Sequence, residues 1–247
     1  RPWKRLFWEN LYLGQLIKKN DVNIYLTFSH YLPWTIPKGI FSVVGVTNLA
    51  PFSPRALSTE SFQMRLKMKI LKVAVVNSSK RANQVIALSK YCKNLLKNNG
   101  ISPSKISVIC NGVSRPTNFS NVNKNVLEKY GVNQEFILYV SSFFRYKKFE
   151  TVIHAFSQLP YDIKNKYQLV FIGTIQDGDY YNDLKDQINT LGLQNRVIMI
   201  DTLSKDELDQ FYSNTALFVF ASLIENCPNI LLEALSFSCP IISSSEE

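Results

Sequence analysis

Two glutamates, Glu225 and Glu233, stand eight positions apart in LIENCPNILLEAL, directly after the apolar run ALFVFAS (216–222). Pro228 between them suits a first helical position, so a helix is predicted to start at about residues 226–228. Glu225 then lies in the loop before the helix and Glu233 about a turn and a half inside it. Backbone N–H groups near Asn229 and Ile230 would point out of the helix start, where a phosphate can be received. Carboxylates flanking that point accept hydrogen bonds from sugar or ribose hydroxyls. Two glutamates at this spacing would otherwise be ordinary solvated helix charges; their place after a buried strand favours a site.

A second group lies in LYVSSFFRYKKFETVIHAF (138–156), where Arg145, Lys147 and Lys148 occupy the turn between an apolar run and a helical pattern. Lys as a point charge and Arg as a two-pronged donor are common phosphate partners. An ordinary basic loop is the alternative reading of the same residues.

Both groups depend on an alternating framework. VNIYLTF (22–28), FSVVGV (41–46), QVIALS (84–89), KISVIC (105–110), FILYVS (136–141), YQLVFIG (167–173), RVIMI (196–200), ALFVFAS and CPIISS (239–244) read as buried strands. Helical periods fall between them at 90–100, 149–159, 180–193, 204–215 and 228–238. Gly100 suits a helix C-terminus, and Ser204 with Glu207 three residues on forms a capping-box pattern. Strand–helix alternation at this spacing predicts parallel sheets with right-handed crossovers, which bind ligands outside the carboxyl ends of their strands. A polar break, SRPTNFSNVNKN, divides the chain. We therefore expect one incomplete α/β domain over 1–115, a linker over 116–134 and most of a second domain over 135–247.

Composition narrows the classes. Of 247 residues 46% are hydrophobic and 19% charged, so a packed globular chain is expected. No apolar run approaches the roughly 20 residues that span a bilayer. Cys92, Cys110, Cys227 and Cys239 form no C-x-x-C pair, which argues against a zinc site and a disulfide framework and for reduced thiols in a cytoplasmic protein. A net charge of +9 favours an anionic partner, either a phosphorylated small molecule or an acidic membrane surface. Nucleic acid is disfavoured, because no aromatic residues interleave with the cations as a stacking platform would need. The chain begins at Arg1, shows no signal peptide and stops straight after a strand-like run, so both ends are expected to be missing.

Four stretches in order, Ser89–Leu95 after a strand, Asn111–Val113, the basic turn Arg145–Lys147 and the Glu225–Glu233 pair, resemble the retaining glycosyltransferases of family four (glycosyl transferases group 1). The likeness covers roughly residues 20–245. It implies a GT-B-like α/β fold: two Rossmann-like doubly wound parallel sheets facing across a cleft, both incomplete in this chain. It also implies a hexosyltransferase that uses a nucleotide-sugar donor and a glycan or lipid-linked acceptor in surface-polysaccharide synthesis. Such an enzyme works in the cytoplasm, with peripheral contact to an acidic membrane, and needs no cofactor and no metal.

Carried over residue by residue, the likeness makes Lys147 the lysine that contacts the donor diphosphate and Glu225 the glutamate facing the transferred sugar. Glu233 would bind the ribose; Asn226, Cys227, Pro228, Asn229 and Ile230 would face sugar and phosphate; Val197 would lie near the base. Ser142 stands where the family has an arginine, and Arg145 is the candidate replacement. The first-domain histidine position reads Thr47–Asn48, leaving His30 as the other first-domain candidate, with an ordinary loop histidine as its alternative. A non-catalytic nucleotide-sugar-binding module is the principal rival reading. A sugar-nucleotide epimerase of similar shape is disfavoured by the glutamate pair.

Overall fold

A computed structural model describes residues 2–29, 31–114 and 124–245. His30 and residues 115–123 of the expected linker lie outside the described residues. The chain forms two compact units. Unit 1 comprises Arg1–Leu57, Ser61–Asn111 and Glu225–Cys227; unit 2 comprises Ser58–Glu60, Gly112–Ile224 and Pro228–Glu247.

Unit 1 holds a four-stranded parallel sheet of β1 (Ile24–Thr27), β2 (Phe41–Val46), β3 (Gln84–Ala87) and β4 (Ile106–Val108), in the order β1-β2-β3-β4. Val44, Val46, Val85 and Ala87 of the central strands are fully buried, as continuous apolar runs in parallel sheets require. Its helices are α1 (Pro2–Leu11), α2 (Leu13–Lys19), α3 (Pro54–Thr59), α4 (Phe62–Arg81) and α5 (Lys90–Asn98). Ser89 caps α5 by accepting the Cys92 N–H at 3.0 Å, and Gly100 follows its end at φ +82°, where glycine carries no steric penalty. The first four helices were not expected from the sequence, and in α4 the apolar residues do not segregate onto one face. In α4, Met68 and Val75 are buried while Phe62, Leu66, Ile70 and Val73 are exposed. Among the described residues no helix is long and apolar enough to cross a membrane.

Unit 2 holds α6 (Lys124–Lys129), β5 (Glu135–Val140), α7 (Phe149–Ser157), α8 (Tyr161–Lys166), β6 (Tyr167–Ile172), α9 (Gly178–Thr190), β7 (Val197–Ile200), α10 (Lys205–Asn214), β8 (Leu217–Phe220), α11 (Asn229–Ser236) and β9 (Ile241–Ser243). Its five strands are parallel in the order β7-β6-β5-β8-β9. Helix α6 falls within the stretch read as a linker, and Leu127 and Val132 beside it join the unit's core. Six residues of helix, less than two turns, are too few to display a period, which is why it was not legible. The capping box is formed: Ser204 accepts the Glu207 N–H, and the Glu207 carboxylate accepts the Ser204 N–H at 3.2 Å.

The core of unit 2 centres on aromatic rings. Phe149 stacks on Tyr139 and on Phe143, each at 4.5 Å, and meets the edge of Phe171 at 5.0 Å. All four rings are fully buried. Phe149 opens α7 directly after the basic turn, so this cluster fixes the turn from below.

Candidate functional site

Within unit 2 the chain lays β6 and β7 on one side of β5 and then crosses to place β8 and β9 on the other. Segments leaving β5 and β8 therefore depart in opposite directions. The crevice outside the carboxyl ends of those two strands is where such a sheet receives a ligand.

Residues 141–144 follow β5 and run beside the segment after β6. Ser141 N–H donates to Ile172 C=O and Phe143 N–H to Thr174 C=O, both at 2.9 Å, and the Ser142 and Thr174 hydroxyls pair at 2.9 Å. This approach requires glycine at 173, since a Cβ there would lie 1.8 Å from the Ser141 carbonyl oxygen. Next comes a 3-10 turn, Arg145–Lys147, ended by Lys148 in the left-handed region at φ +58°. A side chain there costs on the order of 1 kcal/mol and persists where surrounding contacts impose it.

Those contacts are specific. The buried Tyr139 hydroxyl donates to the Lys147 carbonyl at 2.6 Å, and the Tyr146 N–H donates to the Glu60 carboxylate at 3.0 Å. Lys147 is only 8% exposed, with its ammonium 5.0 Å from the Tyr146 ring centre. Arg145 donates from Nε to Asp177 at 3.1 Å and from Nη2 to Asp183 at 3.0 Å, and lies over the Tyr180 ring. Its guanidinium is thus paired with two carboxylates, one in α9 and one at its cap. Asp177 and Asp179 also form an Asp-x-Asp spacing shortly after β6. Asp177 is spent as the α9 cap, accepting the Tyr180 N–H at 3.0 Å, and on Arg145. No group of three or more His, Cys, Asp or Glu able to hold a metal occurs among the described residues.

Glu233 lies on α11 and accepts a hydrogen bond from the buried Tyr212 hydroxyl at 3.2 Å. Burial, then the neighbouring Glu233 charge, drives the Tyr212 phenol well above its ordinary range, so it remains a donor. Helix α11 starts at Asn229, with Pro228 as its N-cap residue. The expected start at 226–228 is therefore early by one to three positions, because Pro228 with ψ 114° is still extended. Asn229 is exposed and Ile230 half-buried at the first turn.

The remaining candidates do not gather there. Val197 opens β7 and is buried in the core at the amino end of the strand, whereas ligand edges lie at the carboxyl end. About three residues at 3.3 Å each separate it from that edge. Glu225, Asn226 and Cys227 cluster with unit 1. Asn226 Nδ2 donates to the Val46 carbonyl at 2.9 Å and its Oδ1 accepts from the Ser89 hydroxyl at 2.8 Å, while Asn111 Nδ2 donates to the Cys227 carbonyl at 2.9 Å. Residues 226–230, read as one donor-facing segment, are thus divided between the units. Ser89 and Asn111, motif residues without an assigned role, hold 226–227 at the carboxyl ends of β2, β3 and β4. Sequence reading also missed Glu60, Tyr139, Thr174, Asp177 and Tyr212. Only Asp177, followed by a helical period, carried a local signal, that of a cap.

Two family models match the chain: "Glycosyl transferases group 1" over residues 123–247 and "Glycosyltransferase Family 4" over residues 1–115. A Campylobacter jejuni N-acetylgalactosaminyltransferase, named for a diphospho-undecaprenol acceptor, is 26% identical over 168 residues, covering 68% of this chain and 42% of that protein. The Staphylococcus aureus capsular polysaccharide glycosyltransferase CapH is 23% identical over 233 residues, covering 94% of this chain and 62% of CapH. The chain thus spans about half the length of these relatives. Among solved structures, the lipopolysaccharide glycosyltransferase WaaG superposes with a TM-score of 0.75 at 14% identity, covering 95% of this chain and 62% of that one. Anabaena HepE with UDP-glucose superposes with a TM-score of 0.72 at 19% identity, covering 96% and 66%. The two parallel α/β sheets thus share the GT-B fold class of these structures.

Proposed function

Because this chain belongs to the glycosyl transferases group 1 family, we propose that it moves a sugar from a nucleotide-diphosphate sugar to a glycan or lipid-linked acceptor, with retention of anomeric configuration. The observation that carries this reading is Lys147: a nearly buried lysine on a turn held at both faces, at the carboxyl edge of the central strand of unit 2. Glycosyl transfer passes through an oxocarbenium-like state, so negative charge grows on the departing diphosphate. A fixed ammonium meets that charge as it forms without reorganising, the kind of help worth about 3–4 kcal/mol. Glu233, oriented by Tyr212, receives the ribose hydroxyls, and the first turn of α11 at Asn229 and Ile230 faces the phosphates. The reading uses no metal and no enzyme nucleophile.

A lipid-linked acceptor, of the kind named for the Campylobacter relative, fits the surface of α4. Phe62, Leu66, Ile70 and Val73 form one exposed stripe at helical spacing, and Arg65, Lys67 and Lys69 flank it. Surface-polysaccharide or glycolipid synthesis at the cytoplasmic face of an acidic membrane is the setting this supports. A binding module without turnover is favoured by one observation, that Arg145 is already paired by two carboxylates while Ser142 stands at the family's arginine position.

Kinetics of the complete protein with a panel of nucleotide sugars separates the two. We expect transfer, a product of retained configuration by NMR, and a loss of roughly 10²–10³-fold in kcat/KM for Lys147→Ala. Transfer at the full rate by Lys147→Ala would overturn the assignment; donor binding with no transfer by the unaltered protein would establish the binding module.

A further inference from the structure

Glu60 has no role in the chemistry above, yet it is 2% exposed and sits in unit 2 among the residues of the basic turn. Its Oε1 accepts the Tyr146 N–H, whereas its Oε2 is buried and makes no hydrogen bond. A carboxyl group kept with one oxygen unpaired in the interior lowers stability, and burial raises its affinity for the proton above that of an ordinary carboxyl. Packing alone does not account for it.

Its target is informative. The Tyr146 N–H belongs to the opening of the Arg145–Lys147 turn, one of the donors that a helical turn leaves unsatisfied, and Phe144 at the N-cap position makes no side-chain cap. Glu60 supplies that missing cap from a distant part of the sequence. On the other side, Tyr139 donates its hydroxyl to the Lys147 carbonyl. One acceptor grips the turn by its N–H and one donor grips it by its C=O, and the residue after them is held left-handed.

We propose that Glu60 and Tyr139 are positioning residues, a two-sided clamp on the backbone of the turn that fixes where the Lys147 ammonium meets the donor diphosphate. This rests on the role proposed for Lys147. Neither residue touches substrate; both act through the lysine, so their effect on turnover exists only while that lysine is present. A displacement of about 1 Å at a catalytic group is enough to lower rates by roughly a hundredfold, which makes such a clamp consequential.

The test is a pair of double-mutant cycles in the complete protein, read as kcat and donor KM, with thermal unfolding as the control for folding. Glu60→Ala is expected to lower kcat about tenfold or more with a smaller change in KM. Glu60→Gln, which keeps an acceptor for the Tyr146 N–H, is expected to stay within about threefold of the unaltered protein. In a Lys147→Ala background, Glu60→Ala and Tyr139→Phe are each expected to change kcat/KM by less than about twofold. Full additivity with Lys147→Ala, or unaltered kinetics for Glu60→Ala, overturns the clamp while leaving the role of Lys147 intact. Full activity of Lys147→Ala instead overturns the functional reading, and the clamp with it. Should Glu60→Ala fail to fold, the Tyr139→Phe cycle decides by the same criterion.

Discussion

Replacing Gly173 by alanine puts a methyl group where the structure has backbone. The added Cβ would stand 1.8 Å from the Ser141 carbonyl oxygen, 2.5 Å from its carbon and 3.1 Å from the Ser142 nitrogen. None of these atoms belongs to a side chain that can swing aside, so the segments after β5 and β6 must part by more than 1 Å to reach ordinary contact. Their separation breaks two backbone hydrogen bonds, Ser141 to Ile172 and Phe143 to Thr174, and the Ser142–Thr174 hydroxyl pair. At about 1 kcal/mol each, the loss comes to about 3 kcal/mol. The same displacement is passed to the turn that begins at Arg145, so kcat/KM should fall by roughly a hundredfold through misplacement of Lys147. Urea unfolding and donor kinetics on one preparation measure both quantities. A Gly173→Ala protein within about 0.5 kcal/mol of the unaltered stability, with unchanged kinetics, would refute the claim that this close approach holds the site.

Phe149→Ala removes the ring packed between Tyr139 and Phe143 and should cost about 3–5 kcal/mol in chemical denaturation, lowering the folded yield as well as activity. Glu207 is held down to about 2 from an ordinary 4.5 by Lys129 first, then by Ser204 and Tyr130. Its contribution to stability is therefore complete above pH 4.5 and is lost as pH falls toward 2, so the stability difference between the native protein and Glu207→Gln should shrink across that window in acid titrations. Leu66→Glu with Ile70→Glu on the exposed stripe of α4 should reduce co-sedimentation with phosphatidylglycerol vesicles by roughly tenfold or more, and raised salt should weaken binding of the unaltered protein.

The nine strands among the described residues were legible in the sequence because each is a short, nearly unbroken apolar run. The placement of Lys147 after β5 and of Glu233 after β8 was legible for a related reason, since both strands are short apolar runs. What sequence reading missed depends on partners far along the chain. Glu60 meets Tyr146 across 86 positions and Asn226 meets Val46 across 180, separations that no local pattern records. Val197 was given a role by likeness alone, without regard to its place at the amino end of β7. Helix α4 went unread since its apolar residues serve two faces, one turned to the core and one to solvent.

The purely parallel order of unit 2 has a consequence for how the chain acquires its shape. No hairpin is available to start the sheet, and Ile137 of β5 pairs with Leu169 of β6, 32 positions on, and with Leu217 of β8, 80 positions on. At about 5–20 residues per second of synthesis, roughly 2–10 s pass between emergence of the first neighbour and of the second. Throughout that interval one edge of the central strand of the unit is unpaired, with Leu138 and Tyr139 awaiting the surfaces that later enclose them. Aggregation during production should therefore be worst for chains interrupted before residue 217, and slower translation through that stretch should aggravate it.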